Sequence, residues 1–225
     1  MVDGTDANLY LPKGVTVTVK NGIYVPATAS LRIFGEGTLI VTGDKDGNAG
    51  IGGNAANPDS GKVYLYGGYV QADGGLGAAG LGSGYNFDDA VPGTSGDVLV
   101  CGSKVVANGG DCAAGIGGGY QSTCGKVTVK SGTVDAKGAD GCCGVGCGDE
   151  GTVTGGVFVD TGLSISTKKK LDKYEDFTGN TGSDLSGVLT TKFVKIGKCS
   201  ISYYDEEGNL IDLSQQTGTL NAAPT

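Results

Sequence analysis

One short segment recurs along the chain, and its fullest copy is Asp111-Cys112-Ala113-Ala114-Gly115-Ile116-Gly117-Gly118-Gly119. Three further copies keep its order of a small residue, Gly, an aliphatic residue and Gly: Asn48-Ala49-Gly50-Ile51-Gly52-Gly53, Ala78-Ala79-Gly80-Leu81-Gly82-Ser83-Gly84 and Cys142-Cys143-Gly144-Val145-Gly146-Cys147-Gly148. Regular self-similarity is typical of repeat proteins, in which each unit buries its apolar face against its neighbours. The sequence therefore predicts a repetitive architecture, and it says less about chemistry.

Two other pieces with period-two alternation accompany the repeated segment. Residues 62–74, 97–109 and 126–138 each contain a Val-x-Val-type piece and then a Val-x-Ala-type piece, with unit starts 35 and 29 residues apart. A less regular copy begins near Leu31, and a weaker one near Val157. Because side chains alternate between the two faces of a strand, one face of each piece is assigned to the core.

Three strand-like pieces per unit, stacked in register, predict an all-β fold. We expect a right-handed parallel β-helix, a solenoid with three short strands per coil, about four full coils and a C-terminal cap or hairpin. The expected inward ladders are Val63/Val98/Val127/Val157, Leu65/Val100/Val129/Val159, Val70/Val105/Val134, Ala72/Ala107/Ala136 and Ile51/Leu81/Ile116/Val145.

The expected organisation has three parts. Residues 1–30 are predicted as N-terminal opening strands or a cap, residues 31–165 as the β-helix repeats, and residues 166–225 as a C-terminal cap, hairpin and tail. The charged residues 168–177 suit a short helix or cap, and residues 201–213 suit a hairpin. Residues 221–225 are expected to be a frayed tail or a linker to a downstream domain.

Composition and charge exclude several classes of protein. The chain has 45 Gly but only 5 Pro among 225 residues, with no Gly-X-Y period, which argues against collagen. A net charge of −8 with a single arginine, Arg32, disfavours nucleic acid and anionic lipid as partners. No apolar run approaches the roughly 20 residues of a membrane span, and Met1-Val2-Asp3-Gly4 lacks the basic start of a signal peptide.

The glycine pairs of the repeated segment allow two interpretations. They are Gly50/Gly80/Gly115/Gly144 and Gly52/Gly82/Gly117/Gly146, and alternation places both sets on the outward face of the third strand. A residue without a Cβ there either makes a tight corner or leaves a bare groove floor that receives a partner.

The repeat also carries a family resemblance. The order Ala-Gly-Ile-Gly-Gly-Gly, Gly-Lys-Val-Thr-Val and Gly-Thr-Val-Asp-Ala, at residues 114–119, 125–129 and 132–136, resembles Gly-rich repeats of surface proteins from Gram-positive and gut bacteria. The resemblance covers roughly residues 31–165. The repeat is also similar to calcium-binding β-helix proteins that bind acidic polysaccharide, and more distantly to the pectate-lyase fold. These likenesses imply a right-handed β-helix at the cell surface or secreted outside the cell, and no catalytic residue.

Acidic residues form the first candidate site. Asp46, Asp111 and Asp140 lie three residues before the Ala position of their copies, which Cys143 occupies in the last copy. This spacing would place Asp111 and Asp140 on adjacent rungs about 4.8 Å apart. Asp73 and Asn108 lie in the same turn region, and Ca²⁺ prefers several oxygen ligands. The alternative is that these are solvated turn residues, with Lys137 supplying a counter-charge.

Tyrosines form the second candidate site. Tyr64, Tyr66 and Tyr69 fall on outward or turn positions of one unit, where their rings would be available to stack on the sugars of a polysaccharide or of a host cell-surface glycan. The absence of Trp weakens this interpretation. The alternative is that they are surface β-formers that shield their neighbours.

The seven cysteines leave at least one thiol unpaired within the chain. Cys112 is expected to stack beside Cys142, so we predict a Cys112–Cys142 disulfide. Cys143 and Cys147, if both point inward on one extended strand, would lie about 13 Å apart and would be unable to bridge.

The sequence thus favours a non-enzymatic surface module for adhesion or polysaccharide binding within a larger bacterial protein. The chain contains no His, which excludes His-based triads and general bases. Two alternatives stay open: a purely structural stalk, and a calcium-dependent polysaccharide-active enzyme of pectate-lyase-like fold. The sequence does not decide the oligomeric state.

Overall fold

The structure, a computed structural model, describes residues 3–43, 45–168, 175–177, 185, 191–197, 203–204 and 210–211. These residues form strands and turns without any helix, which confirms the predicted all-β class for the described part of the chain. Among them, no helix has the length and apolar character needed to cross a membrane.

The strands are short, as expected from a chain broken by turns every few residues. In chain order they are β1 (Asp6–Leu11), β2 (Thr16–Lys20), β3 (Ile23–Tyr24), β4 (Ser30–Gly35), β5 (Thr38–Thr42), β6 (Ile51–Gly52), β7 (Lys62–Leu65), β8 (Tyr69–Asp73), β9 (Leu81–Gly82), β10 (Tyr85–Asn86), β11 (Val91–Pro92), β12 (Val98–Asn108), β13 (Ile116–Gly117), β14 (Thr123–Cys124), β15 (Val127–Lys137), β16 (Val145–Gly146), β17 (Thr152–Val153), β18 (Val157–Val159), β19 (Ser164–Lys168), β20 (Glu175–Phe177), β21 (Phe193–Gly197), β22 (Tyr203–Tyr204) and β23 (Leu210–Ile211).

Most strands pair in parallel with the strand one unit later in the chain. β1, β4, β7, the first part of β12, the first part of β15 and β18 form one row. β2, β5, β8 and the second parts of β12 and β15 form a second row. β3, β6, β9, β13 and β16 form a separate five-stranded parallel sheet. Between the two parts of β12 and β15, Gly102 and Gly132 have φ values of +101° and +96°.

The predicted inward ladders are confirmed by the strand registers. Val63 pairs with Val98, Val98 with Val127, and Val127 with Val157, and the other four ladders follow the same registers. Every member is at most 2% exposed. The core is therefore a set of apolar columns that run across the parallel strands, as expected where each unit buries its face against the next.

Residues 1–30, predicted as opening strands or a cap, contribute strands to the same sheets. β1, β2 and β3 pair in parallel with β4, β5 and β6, and Ile23 pairs with Ile51 at the head of the Ile/Leu/Val column. These residues therefore repeat the pairing pattern of the units that follow.

A hairpin explains the uneven repeat length. β10 and β11 pair antiparallel within the unit that begins near Lys62. Gly82 pairs with Gly117 and Thr94 with Thr123, so the segment from Gly82 to Thr94 is six residues longer than its partner segment. Those six residues account for the difference between the 35-residue and 29-residue spacings of the Val columns.

The parallel pairing gives way to antiparallel pairing towards the C-terminus. β21 pairs antiparallel with the second part of β15 and with β19, and β20 pairs antiparallel with β19. Residues 175–177, in the segment predicted as a short helix or cap, are therefore a strand. The predicted hairpin at residues 201–213 is represented by antiparallel β22 and β23. Residues 221–225 lie outside the described residues.

Candidate functional site

The first glycine of each repeated segment is buried, so the predicted outward placement of these glycines is wrong. A Cβ on Gly115 would lie 2.7 Å from the carbonyl oxygens of Ala107 and Gly144. The first oxygen belongs to the end of β12, and the second to the next copy. Small residues are required here because the short third strand presses against the end of the preceding strand, and no groove floor is left for a partner.

The second glycine of each segment is required by backbone conformation as well. Gly52, Gly82, Gly117 and Gly146 have φ between +126° and +144°. A Cβ on Gly52, Gly82 or Gly117 would lie 1.8–2.0 Å from the carbonyl oxygen of the glycine in the next copy. The tight-corner interpretation therefore describes the second glycine row, whereas the first row is kept small by the backbone that lies against it. Both rows serve the architecture.

The outward side of the first strand row carries the aromatic side chains. Tyr64 and Tyr66 lie on it with their ring centroids 6.3 Å apart and their planes inclined by 29°. Tyr10 and Phe34, paired in register on β1 and β4, have centroids 5.4 Å apart. Tyr10, Phe34 and Tyr66 are 59%, 37% and 46% exposed. We call Tyr10, Phe34, Tyr64 and Tyr66 the aromatic strip.

Arg32 connects the aromatic strip to a carboxylate. Its guanidinium carbon lies 5.4 Å from the centroid of the Tyr64 ring, and its Nη1 donates to Asp6 Oδ2 at 3.0 Å. The hydroxyl of Ser30 donates to Asp6 Oδ1 at 2.6 Å. These two donors lower the pKa of Asp6, the Ser30 hydrogen bond most and the Arg32 hydrogen bond next. The edge of the strip thus presents a charged hydrogen-bonding group next to aromatic rings.

Tyr69 belongs to a different surface from Tyr64 and Tyr66. It lies on β8 in the second strand row, where its hydroxyl donates to Gln71 Oε1 at 3.3 Å and Lys104 Nζ lies 5.5 Å from its ring centroid. It lines a cavity of about 440 Å³ together with Asp135 and Lys195. The three tyrosines predicted as one site are therefore divided between two faces.

Tyr10 and Phe34 are strip residues that the sequence analysis missed. The signal was present: Tyr10 lies between Leu9 and Leu11, which contribute to the core side of β1. The prediction of residues 1–30 as opening strands or a cap separates Tyr10 from the repeats, so the alternation does not place Tyr10 beside Phe34.

The acidic residues predicted as calcium ligands lie next to nitrogen donors. Asp73 and Asn108 are paired in register, as predicted, and Asn108 Nδ2 donates to Asp73 Oδ1 at 2.5 Å. Gln71 Nε2 donates to Asp73 Oδ2 at 2.9 Å. Lys137 pairs in register with Asn108, in the place expected for a counter-charge. Both carboxylate oxygens of Asp73 therefore accept hydrogen bonds from amides of the same strand row.

Asp111 and Asp140 share a second cavity of about 440 Å³, which Lys137 and Lys192 also line. Lys192 Nζ forms an ion pair with Asp140 Oδ1. Asp46 is exposed. Within the part of the chain that the structure describes, no three His, Cys, Asp or Glu side chains converge as a metal site would require.

Calcium binding at these residues and the alternative of solvated turn residues both stay predictions, and we favour the second. Because amides and lysines already accompany the carboxylates, we expect the melting temperature to change by less than about 1 °C when EDTA or millimolar CaCl₂ is added. A rise of several degrees with calcium that EDTA reverses would contradict this expectation and support the calcium site.

The cysteines are free thiols in the described residues, and Cys112 is exposed whereas Cys142 is buried. The predicted Cys112–Cys142 disulfide stays a prediction. Burial raises the pKa of Cys142 to about 11 and that of Cys124 to about 12, so both thiols are protonated near neutral pH.

The predicted separation of Cys143 and Cys147 is wrong. Their sulfur atoms lie 3.9 Å apart, because the chain does not stay extended between them. Gly146 has a φ of +139°, and the backbone N–H of Cys143 donates to the carbonyl of Cys147 at 3.1 Å. A hydrogen bond donated by the Cys143 thiol lowers the pKa of Cys147 below the ordinary value of a thiol.

Comparison with known proteins places the chain in no family. No family model matches the sequence, and neither a curated protein nor a solved structure matches it.

Proposed function

We propose that the three rows of parallel strands wind as a right-handed β-helix with three short strands per coil and an antiparallel C-terminal cap. Continuous columns such as Ile51/Leu81/Ile116/Val145 support this proposal, because successive units repeat the same order of strands in the same register. The right hand follows from the strong preference of parallel crossover connections for that hand. In this arrangement each strand row forms one long flat wall.

We propose that this chain is a non-catalytic surface module that binds polysaccharide, and the observation that carries the proposal is the aromatic strip. Three neighbouring parallel strands carry exposed rings on one outer wall: Tyr10 on β1, Phe34 on β4, and Tyr66 directly after β7. Exposed aromatic side chains that cluster on a soluble surface mark interaction sites. A row that crosses parallel strands suits an extended polymer.

The chemistry of the strip fits sugars. Aromatic rings offer apolar faces to the C–H faces of a sugar ring, and tyrosine hydroxyls are hydrogen-bond donors and acceptors at their rims. Arg32 and Asp6 add charge-assisted hydrogen bonding at the edge of the strip. The likeness of the repeat to those of bacterial surface proteins supports a location outside the cell, at the surface or secreted, with adhesion as the biological outcome.

The test is a glycan array that includes pectic and host mucin sugars, with and without calcium, followed by titration of the best ligand. We expect Phe34→Ala and Tyr66→Ala each to weaken binding at least about fivefold, since a central aromatic contact is typically worth more than 1 kcal/mol. Phe87→Ala is the matched control, because Phe87 is 44% exposed but lies on the β10–β11 side of the chain.

Two outcomes would contradict the proposal. If no glycan on the array binds, the result would favour the alternative in which the chain is a structural stalk and absent domains bind the ligand. A bound glycan whose affinity does not change in Phe34→Ala and Tyr66→Ala would place the site elsewhere. The cavity that contains Tyr69 and Lys104 would then be the next surface to test, with Tyr69→Ala.

A further inference from the structure

Every copy of the repeated segment closes the same five-residue arch. The backbone N–H of the residue before the first glycine donates to the carbonyl of the residue four positions later. The four bonds are Ala49 to Gly53 at 3.0 Å, Ala79 to Ser83 at 3.0 Å, Ala114 to Gly118 at 3.0 Å and Cys143 to Cys147 at 3.1 Å. The arch therefore places its first and last residues opposite each other in every unit.

The last copy alone among the four has cysteine at both ends of the arch. Cys143 is 7% exposed, whereas Cys147 is partly exposed. Their sulfur atoms lie 3.9 Å apart, in contact but not bonded. A buried thiol beside a more accessible thiol is the arrangement of a dithiol in which one sulfur meets a reagent and the other resolves the product.

We propose that Cys143 and Cys147 form a dithiol site that exchanges with low-molecular-weight disulfides and closes the last arch as a disulfide. This inference is independent of the proposed polysaccharide binding, since the aromatic strip lies on β1, β4, β7 and the residue after β7.

The exchange proceeds in two displacement steps. The Cys147 thiolate attacks one sulfur of the disulfide RSSR, a bond forms between Cys147 and SR, and the first RS⁻ leaves and takes up a proton. Cys143 gives its proton to solvent and attacks the Cys147 sulfur, which releases the second RS⁻ as RSH. The two protein thiols are oxidised to one disulfide, and RSSR is reduced to two RSH molecules.

The surroundings favour Cys147 as the attacking thiol. The hydrogen bond from Cys143 lowers the pKa of Cys147, whereas burial raises those of Cys124 and Cys142. Cys124 is fully buried, and its sulfur donates to the carbonyl of Gly125 at 3.2 Å. Reactive cysteines combine thiolate character with access, which Cys124 and Cys142 lack.

The test uses the reduced full chain and oxidised glutathione as the probe. After acid quenching, we expect the denatured protein to have lost two of its seven thiols. Trypsin cleaves after Lys137 and Lys168, and the resulting peptide, residues 138–168, contains Cys142, Cys143 and Cys147. Fragmentation of this peptide is expected to show a bond between Cys143 and Cys147 and an alkylated Cys142.

The other copies supply variants that suit the arch. Cys143→Ala introduces the residue found at positions 49, 79 and 114, and Cys147→Ser introduces the residue found at position 83. In the Cys143→Ala variant we expect the exchange with oxidised glutathione to stop at a mixed disulfide on Cys147. The Cys147→Ser variant should react with oxidised glutathione at least about tenfold more slowly than the unaltered chain. Cys101→Ser is the control, because Cys101 is also partly exposed but lies on β12, and this variant should react like the unaltered chain.

Three results would overturn the proposal. One is a chain that keeps all its thiols. Another is a bond from Cys143 or Cys147 to Cys142 instead of to each other. The third is a bond from Cys143 or Cys147 to a cysteine of peptide 105–126, which contains Cys112 and Cys124.

Discussion

At the scale of a single residue, Gly117 shows why each copy of the repeated segment has glycine at this position. Its φ is +126°, and a Cβ there would lie 2.0 Å from the carbonyl oxygen of Gly146 and 2.6 Å from the Cys124 sulfur. Gly117→Ala therefore combines backbone strain with a clash against backbone that has no room to move. We expect a loss of at least about 2 kcal/mol in the free energy of unfolding, measured by chemical denaturation.

Gly141 provides the control for that prediction. Its φ is +83°, but a Cβ there would meet no atom within 4 Å. Gly141→Ala should cost only the conformational strain of a left-handed residue, about 1–2 kcal/mol. If Gly117→Ala is no more destabilising than Gly141→Ala, the close contact with the next copy does not contribute.

The rate at which Cys147 is alkylated should depend on pH. The thiolate reacts and the thiol does not, so the rate at Cys147 rises with pH. It should be half-maximal at a lower pH than for an ordinary thiol, because the hydrogen bond from Cys143 lowers the pKa of Cys147. The thiols of Cys124 and Cys142 also interact electrostatically with Cys147. Cys143→Ala removes the donor that stabilises the thiolate, so the midpoint should move to higher pH, as followed by iodoacetamide labelling and peptide mass. A midpoint that stays in place would contradict the role of Cys143.

At the scale of an element, the two-residue third strands depend on their column. Ile116 is fully buried on β13 and pairs with Leu81 on one side and Val145 on the other. Ile116→Ala leaves a cavity between two neighbouring units, so we expect a loss of about 2–5 kcal/mol in unfolding free energy. Val91→Ala, at a 43% exposed position, should change stability by less than about 0.5 kcal/mol. Similar effects of both changes would argue against the column as the source of stability.

At the scale of the whole molecule, the antiparallel strands at the end of the stack cover an open edge. β21 lies along the second part of β15, and Val194 is fully buried there beside Gly144. Val194→Asp places an unpaired carboxylate in that contact, which should lower the melting temperature by about 10 °C and expose the β15 edge to other copies. Size-exclusion chromatography should then show association.

Lys195→Ala is the matched change on the solvent side of β21. Lys195 forms an exposed ion pair with Asp135 at 3.3 Å, and such pairs contribute between 0 and about 1 kcal/mol. This variant should remain in the same oligomeric state as the unaltered chain. A monodisperse Val194→Asp protein with an unchanged melting temperature would show that β21 does not protect the edge.

The sequence by itself determined which face of each strand is buried and how the repeated units stack in the core. Period-two alternation assigns Val63 and Leu65 to one face, and the repeated segment aligns each unit with the next, so the five apolar columns were predictable within the regular repeats. Their continuation into the earlier strands, such as Ile23 beside Ile51, was not predicted. The antiparallel pairing of β22 with β23, inside the hairpin predicted at residues 201–213, was also predictable, because turn signals in a sequence are local.

Only the tertiary structure decided what lies against each surface. Alternation predicted an outward Gly115, yet the neighbouring strand end covers it, because contacts between units depend on how the chain turns and not on the pattern within one strand. The φ of Gly146 brings Cys143 and Cys147 together where an extended strand would separate them. The aromatic strip likewise exists because parallel pairing brings Tyr10 and Phe34, 24 residues apart in the chain, to adjacent positions on one wall.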